Sequence, residues 1–460
     1  MINKSVIERV LLAALSEGGD FSEVYIENAK TTGISALNGV IERASSGIDY
    51  GIGIRILLGD KSVYVYSNDL DENLLIRLAR DASASLSSVP KGLSVCLRPV
   101  INYKSNIAII SPVSFDKSLK VEVLKRACDA AKSYDELITQ TGSSCSDIEK
   151  SIIIANSNGD YVTDNRIRTR FTIEAVASYG EEKQTGFFGP GSGTGYEFIE
   201  KLPVEEISRD AARIAVTMMK AKPCPSGKMP VVIGNGFGGV IFHEACGHSL
   251  EATSVGIKAS VFTGKLGSQI ASELVTAIDD PTIQNEWGSF AIDDEGVSPE
   301  KHLLIENGIL TGYLVDRLGS RRMEMPENGC GRRQNYQFQP TSRMSNTFIA
   351  PGKSTHDEII ADTDYGIYAA CMGGGSVEPA TGEFNFAVNE AYMIRNGKIA
   401  EPVRGATLIG KGSEVLLNID RVGNDVKLAQ GMCGSVSGNV PVNVGQPTIR
   451  VSNITVGGSE

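Results

Sequence analysis

Only four histidines occur in the 460-residue chain, at positions 243, 248, 302 and 356. Two of them bracket one short segment, His243-Glu244-Ala245-Cys246-Gly247-His248. Imidazole is the commonest zinc-binding side chain, and a zinc ion with one open position lowers the pKa of its water to about 7. A carboxylate beside one ligand can accept that water's proton and later deliver it to a leaving amine. His243 and His248 are therefore candidate metal ligands, and Glu244 the candidate general base. The spacing imposes a condition. Histidines at i and i+4 stack on one helix face, whereas i and i+5 differ by roughly 140° at about 100° per residue. Both rings reach one ion only if the helix widens, as in a π-type turn, or ends between them. Gly247 is the residue type that permits such a distortion. The alternative is ordinary helix with His248 near its end, since short motif matches also arise by chance.

The elements that must hold this segment read as a strand, a corner and a helix. An apolar strand at 229–233 runs into a glycine-rich corner at 234–239, which leads into the histidine helix. Beyond it, strands are expected at 275–278, 303–306, 309–315, 384–394, 398–402, 448–451 and 454–456, with turns at Asn307-Gly308 and Asn396-Gly397. Residues 228–460 thus form a large β-rich C-terminal domain. Two smaller α/β layers are expected ahead of it. The first, 1–88, has helices at 2–17 and 71–85 around strands at 23–27, 33–37, 40–43, 50–58 and 62–66, with a hairpin at Asn38-Gly39. Residues 86–112 read as a linker broken by Pro90, Gly92, Pro99 and Pro112. The second layer, 113–222, has helices at 119–133 and 204–221 and strands at 137–140, 151–155 and 168–178. The fold class is α+β, with the HExxxH helix in the last and largest part.

Composition narrows the function. Hydrophobic residues make up 41% and charged residues 22%, which suits a globular chain with a sizeable core. A net charge of −11 disfavours nucleic acid and anionic membrane surfaces as partners. No apolar run is long enough to cross a membrane, and the N-terminal apolar stretch is too short for a signal peptide. Eight scattered cysteines without a CxxC pair read as reduced thiols, and the expected location is the cytoplasm.

From the histidine segment onward the chain resembles the TldD/PmbA family of metalloproteases, in particular the TldD-type members that carry the motif. The resemblance continues through Ser249-Leu250-Glu251-Ala252, Asp293-Asp294-Glu295-Gly296 and Leu304-Ile305-Glu306-Asn307-Gly308. It includes Gly312-Tyr313-Leu314-Val315-Asp316-Arg317, Gly331-Arg332-Arg333, Arg343-Met344-Ser345-Asn346-Thr347 and Gly373-Gly374-Gly375. Residues 20–58 look like the family's first domain, so essentially the whole chain is covered. The resemblance implies one Zn2+ per active subunit, held by His243, His248 and Cys433, the last in Gly431-Met432-Cys433-Gly434. It implies substrates that are flexible peptides or unfolded protein segments, cut with little sequence preference. It also implies a dimer, either with itself or with a paralogous subunit that lacks the motif.

Composition alone could not choose Cys433 among eight cysteines, and a free cysteine is ordinarily a small buried hydrophobe. Cys246 is a rival thiol, three residues after His243 on nearly the same face. Gly373, Gly374 and Gly375 carry no side-chain bulk, so a substrate backbone could approach there and add to a sheet edge. A plain flexible turn is the alternative. Arg332, Arg333 and Arg343 are candidates for binding a peptide carboxylate or carbonyls, with internal ion pairs as the alternative. His302 and His356 read as surface or internally satisfied histidines. Two other function classes stay open at this point. One is a non-catalytic regulatory or binding subunit; the other is a hydrolase with Cys433 as nucleophile.

Overall fold

The computed structural model describes residues 2–86, 94–378 and 381–458. Residues 87–93 of the expected linker, with Pro90 and Gly92, lie outside the described residues.

The two smaller layers share one eight-stranded sheet. Its order runs Lys61–Ser67, Val40–Leu58, Phe21–Leu37, Ile138–Asn156, Tyr161–Tyr179, Ile101–Asn102. Phe21–Leu37, from the first layer, pairs antiparallel with Ile138–Asn156, from the second, over fifteen residue pairs from Glu23↔Asn156 to Leu37↔Gly142. The Asn38-Gly39 turn closes the first hairpin. Both residues have positive φ, 49° and 77°, the combination that a two-residue turn needs to match strand twist. Helices Lys4–Ala13 and Glu72–Ala84 cover one end through Ile7, Leu11 and Leu75. Helices Lys117–Lys132 and Val204–Lys220 cover the other through Leu124, Ala211 and Ala215. The described part of the linker is not free chain. Val95 and Leu97 are buried in the first of these clusters, and Glu197 accepts the amides of Ile109 and Ile110.

The C-terminal part contains two larger sheets. In one, Tyr365–Glu378, Gly227–Ile233, Ile449–Gly457, Thr407–Lys411 and Glu383–Arg395 pair in that order. A further pairing of Tyr365–Glu378 with Glu383–Arg395 closes the ring. The other sheet has six strands and ends in the hairpin Lys427–Ser435 and Gly438–Gln446, with Lys427–Ser435 on the outside. The strand expected at 309–315 is shorter, Ile309–Leu310, after which Leu314 makes only an isolated bridge to Glu251.

A buried ionic layer joins the first sheet to the C-terminal part. Arg55 reaches Glu23 at 3.0 Å and Glu295 at 2.6 Å. Arg333 reaches Glu23 at 2.8 Å, and its backbone N–H donates to Asp294. Arg166 bridges Asp164 and Asp294 at 2.9 and 2.6 Å. Asp293-Asp294-Glu295 is thus the segment where carboxylates from one part meet guanidinium groups from the others.

Candidate metal centre

The histidine segment begins where strand Gly227–Ile233 turns through a 3-10 turn, Gly236–Gly239, into a short helix, Val240–Ala245. Gly239 lies against the strand that carries the cysteine hairpin; a Cβ there would stand 2.4 Å from the Gly445 carbonyl oxygen. That close approach sets the helix beside the hairpin. The helix presents Ile241 and Phe242 to the core, and His243 is 1% exposed.

The helix ends between the two histidines. Cys246 leaves helical geometry at φ −126°, ψ −51°, and a 3-10 turn, Gly247–Leu250, carries His248. The bend falls on Cys246 rather than on Gly247. Gly247 serves packing: a Cβ there would meet the Met344 sulfur at 2.1 Å. This break swings His248 back towards His243. Their ring centroids are 5.1 Å apart at an interplanar angle of 84°.

Cys433 completes the cluster from the outer strand of the hairpin. Its Sγ lies 3.2 Å from His243 Nε2 and 3.2 Å from His248 Nε2. The three ligand atoms all lie within 4.8 Å of one another. Zinc bonds of about 2.0–2.1 Å to nitrogen and about 2.3 Å to sulfur place tetrahedral N and S ligands about 3.5 Å apart. The donor set and its separations fit that ion. Glu244 stands beside the cluster, with Oε2 3.7 Å from His248 Nε2 and its side chain partly open to solvent. Burial opposes ionisation of Cys433, but the two imidazoles outweigh it and hold the thiol well below its usual range.

Cys246 takes no part in the cluster. It is fully buried among apolar side chains, and burial pushes its pKa up. His302 is buried at the start of strand His302–Glu306, and His356 opens helix His356–Ala361 and contacts Thr448.

The three candidate arginines all lie inside the protein. Arg333 belongs to the ionic layer described above. Arg332 donates to the carbonyls of Met344 and Pro441 at 2.5 and 2.6 Å. Arg343 donates to the carbonyls of Cys433 and Gly438 at 2.5 and 2.8 Å and to Ser437 Oγ at 2.9 Å. Arg343 therefore fixes the turn of the cysteine hairpin.

Gly373, Gly374 and Gly375 belong to strand Tyr365–Glu378, at a place where its register against Glu383–Arg395 slips. Gly373 and Gly375 are pressed against Asn389 and Asn385, whereas a Cβ on Gly374 would meet nothing within 4 Å. Gly374 faces a cleft of about 660 Å³ whose other wall is Lys427 to Met432, the run leading to Cys433.

Two contributors lie outside the sequence-level candidates. Glu251 is 3% exposed and its Oε2 sits 3.1 Å from His248 Nδ1, the ring nitrogen turned away from Cys433. By contrast, His243 Nδ1 is buried without a hydrogen-bond partner among the described residues. Trp287 donates from Nε1 to the Gly431 carbonyl at 2.9 Å, which steadies the strand two residues before Cys433. The spacing of Glu251, three residues after His248, was the available signal for it; Trp287 had none.

The fold and this cluster together describe a metallopeptidase architecture, and comparison with known proteins identifies the family. The chain belongs to the PmbA/TldA metallopeptidase family: models of its domain 1, central domain and C-terminal domain match residues 22–86, 110–219 and 226–458. Among relatives, the metalloprotease TldD homologue of Buchnera aphidicola subsp. Acyrthosiphon pisum is 36% identical, over 96% of this chain and 93% of its own length. A metalloprotease of Methanocaldococcus jannaschii is 35% identical over 98% of this chain and 99% of its own. Among solved structures, TldE from Thermococcus kodakarensis superposes with a TM-score of 0.76 at 20% identity, covering 98% of this chain and 99% of its own. A Thermotoga maritima protein described as a candidate modulator of a DNA gyrase gives a TM-score of 0.80 at 21% identity, covering 99% and 100%.

Proposed function

We propose that this chain is a zinc-dependent peptidase that hydrolyses flexible peptides or unfolded protein segments with little sequence preference. The observation that carries this reading is the convergence of His243 Nε2, His248 Nε2 and Cys433 Sγ within 4.8 Å, with the Glu244 carboxylate beside them. One Zn2+ held by these three residues would supply Lewis acidity to the scissile carbonyl and to the attacking water. Glu244 accepts the water's proton and returns it to the leaving amine. Glu251 holds the His248 ring so that Nε2 faces the site, the orienting role that carboxylates play behind metal-binding histidines.

The cleft between Gly374 and the run Lys427 to Met432 suits an extended chain. Lys427–Ser435 is the outer strand of its sheet, and Gly374 offers room for a backbone rather than a side chain. Trp287 and Arg343 already use the carbonyls of Gly431 and Cys433, so a peptide would pair along 427–430. Main-chain pairing gives affinity without demanding particular side chains. A dimer, with itself or with a paralogous subunit, belongs to the same reading. All eight cysteines are free, which agrees with a reducing cytoplasm. Among the described residues no helix is long and apolar enough to cross a membrane.

The test is a Glu244→Ala variant assayed on an unfolded protein, with metal content measured on the same sample. We expect stoichiometric zinc and activity lower by about 10²–10⁴-fold. Wild-type activity should vanish with a chelator and return with zinc. Activity that survives chelation but is lost on thiol alkylation would replace this reading with Cys433 as nucleophile. Purified protein without zinc or peptidase activity would leave a non-catalytic subunit.

A further inference from the structure

The cleft walled by the run leading to Cys433 carries a charge opposite to that of the chain. Its lining includes Arg170, Arg213 and Lys427 but only one carboxylate, Glu390. That carboxylate is already occupied, by Arg213 at 2.6 Å and by the Tyr392 hydroxyl at 2.6 Å. Arg170 and Lys427 form no salt bridge among the described residues, in a chain of net charge −11.

The two cations are not equivalent. Lys427 is an exposed, flexible ammonium at the start of its strand. Arg170 is held in place: Nε donates to the Gly189 carbonyl at 3.2 Å, and the guanidinium lies 5.6 Å from the centre of the Trp287 ring. The same Trp287 donates to Gly431, two residues from Cys433. Two residues before Arg170 on strand Tyr161–Tyr179, Arg168 spends its guanidinium on the carbonyls of Trp287 and Ser289 and brings no carboxylate either. A planar guanidinium fixed on an aromatic face, with its terminal nitrogens unclaimed, matches the geometry of a carboxylate. Burial lowers the Arg170 pKa and no acid offsets it, so an arriving anion would relieve a cation that the fold leaves uncompensated.

We propose that Arg170, seated on Trp287 at the wall of the cleft, is an anion subsite that takes a carboxylate of the bound peptide. The carboxylate is either the peptide's C-terminus or an acidic side chain. This inference rests on the peptidase reading for its substrate, and it adds a preference to a cleft whose main-chain pairing has none.

The probe is one flexible peptide in four versions: free C-terminus or C-terminal amide, each with an internal Asp or Asn. Wild type should favour versions that carry a carboxylate. Arg170→Gln should raise KM about tenfold for those versions, the weak end of a charge-assisted contact, and leave kcat and the fully neutral version unchanged. Arg170→Lys should retain part of the preference. Which substitution in the peptide abolishes the effect identifies the C-terminus or the side chain as the source. The neutral version also reports whether the Gln variant folds. Equal kcat/KM for all four peptides with wild type, or an equal loss for all four in an Arg170→Gln protein whose thermal melt matches wild type, overturns the subsite. If wild type cleaves none of them, the peptidase reading fails by itself. Binding of the same four peptides then decides the subsite, and equal affinities overturn it.

Discussion

Two groups of buried arginines occupy this molecule, and they are held in different ways. In the layer between the first sheet and the C-terminal part, Arg55, Arg166 and Arg333 face Glu23, Asp164, Asp294 and Glu295. Around the hairpin that carries Cys433, Arg168, Arg332 and Arg343 donate instead to backbone carbonyls, with only a loose 3.9 Å approach of Arg343 to Glu251. Both arrangements fix geometry, but only the first cancels charge. The consequence shows in acidity. Acidic neighbours overcome burial and raise the pKa of Arg55 and Arg166, whereas burial takes Arg168 down to about 9 and Arg332 down to about 10. The first region is a fastening. The second leaves positive charge beside Cys433 and the cleft, which would favour an anionic ligand there.

Removing one arginine from each group is the most forceful way to break this comparison. Arg55→Met leaves Glu23 and Glu295 buried without their shared partner and should cost about 3–5 kcal/mol in urea unfolding. Arg332→Met leaves only neutral carbonyls unsatisfied and should cost about 1–3 kcal/mol. Equal losses would mean that the two regions do not differ in kind. A smaller effect is expected where the two designs touch, at Glu251, the buried carboxylate behind the candidate ligand His248. Glu251→Gln should weaken zinc binding by about 10–100-fold in a chelator competition while the protein stays folded. Unchanged affinity would remove Glu251 from the centre.

The smallest effect concerns an acid that the fastening layer does not fully satisfy. Burial, and then the charge of Glu295, push the Asp316 carboxyl up to about 7 from an ordinary 3.8. Between those values the unfolded chain has released this proton and the folded chain still holds it, so stability falls as pH rises. Asp316→Asn keeps an acceptor for the Gly319 amide and removes the titration. Thermal melts from pH 4 to pH 8 should show wild type losing a few degrees more than the variant. Parallel curves would show that Asp316 is ionised throughout.

The contrast between the regions also explains what could be read in advance. Strands with apolar faces and paired turn residues were legible, as at Asn38-Gly39 and Asn396-Gly397, both of which close hairpins. Strand Ile138–Asn156 was legible only at its two ends. Its inner face in the middle carries Thr141, Ser143, Cys145 and Asp147, all buried and polar or sulfur-bearing, so no apolar alternation marks it. Lys120 from a facing helix neutralises Asp147 at 2.6 Å, a partner that no local window contains. The same limit hid the merging of the two layers, because register between distant strands is a property of pairs. At the site, the residue types and the i,i+5 spacing required a break in the helix, and the break lies at Cys246. The pairing of Cys433 with the histidines is invisible to spacing and came from family resemblance. Arg332 and Arg343 could be read either as binding groups or as members of ion pairs; their actual partners are main-chain oxygens, which a sequence never displays.

One of the three candidate ligands comes from a distant part of the chain: Cys433 lies 190 residues after His243. A ribosome adding ~5–20 residues per second needs on the order of ten seconds or more to bridge that interval. Until then the histidines and Glu244 are present without their sulfur partner, and the emerging chain is itself an unfolded polypeptide. On the peptidase reading, the order of the candidate ligands along the chain would leave the cluster incomplete until nearly all of the polypeptide has been made.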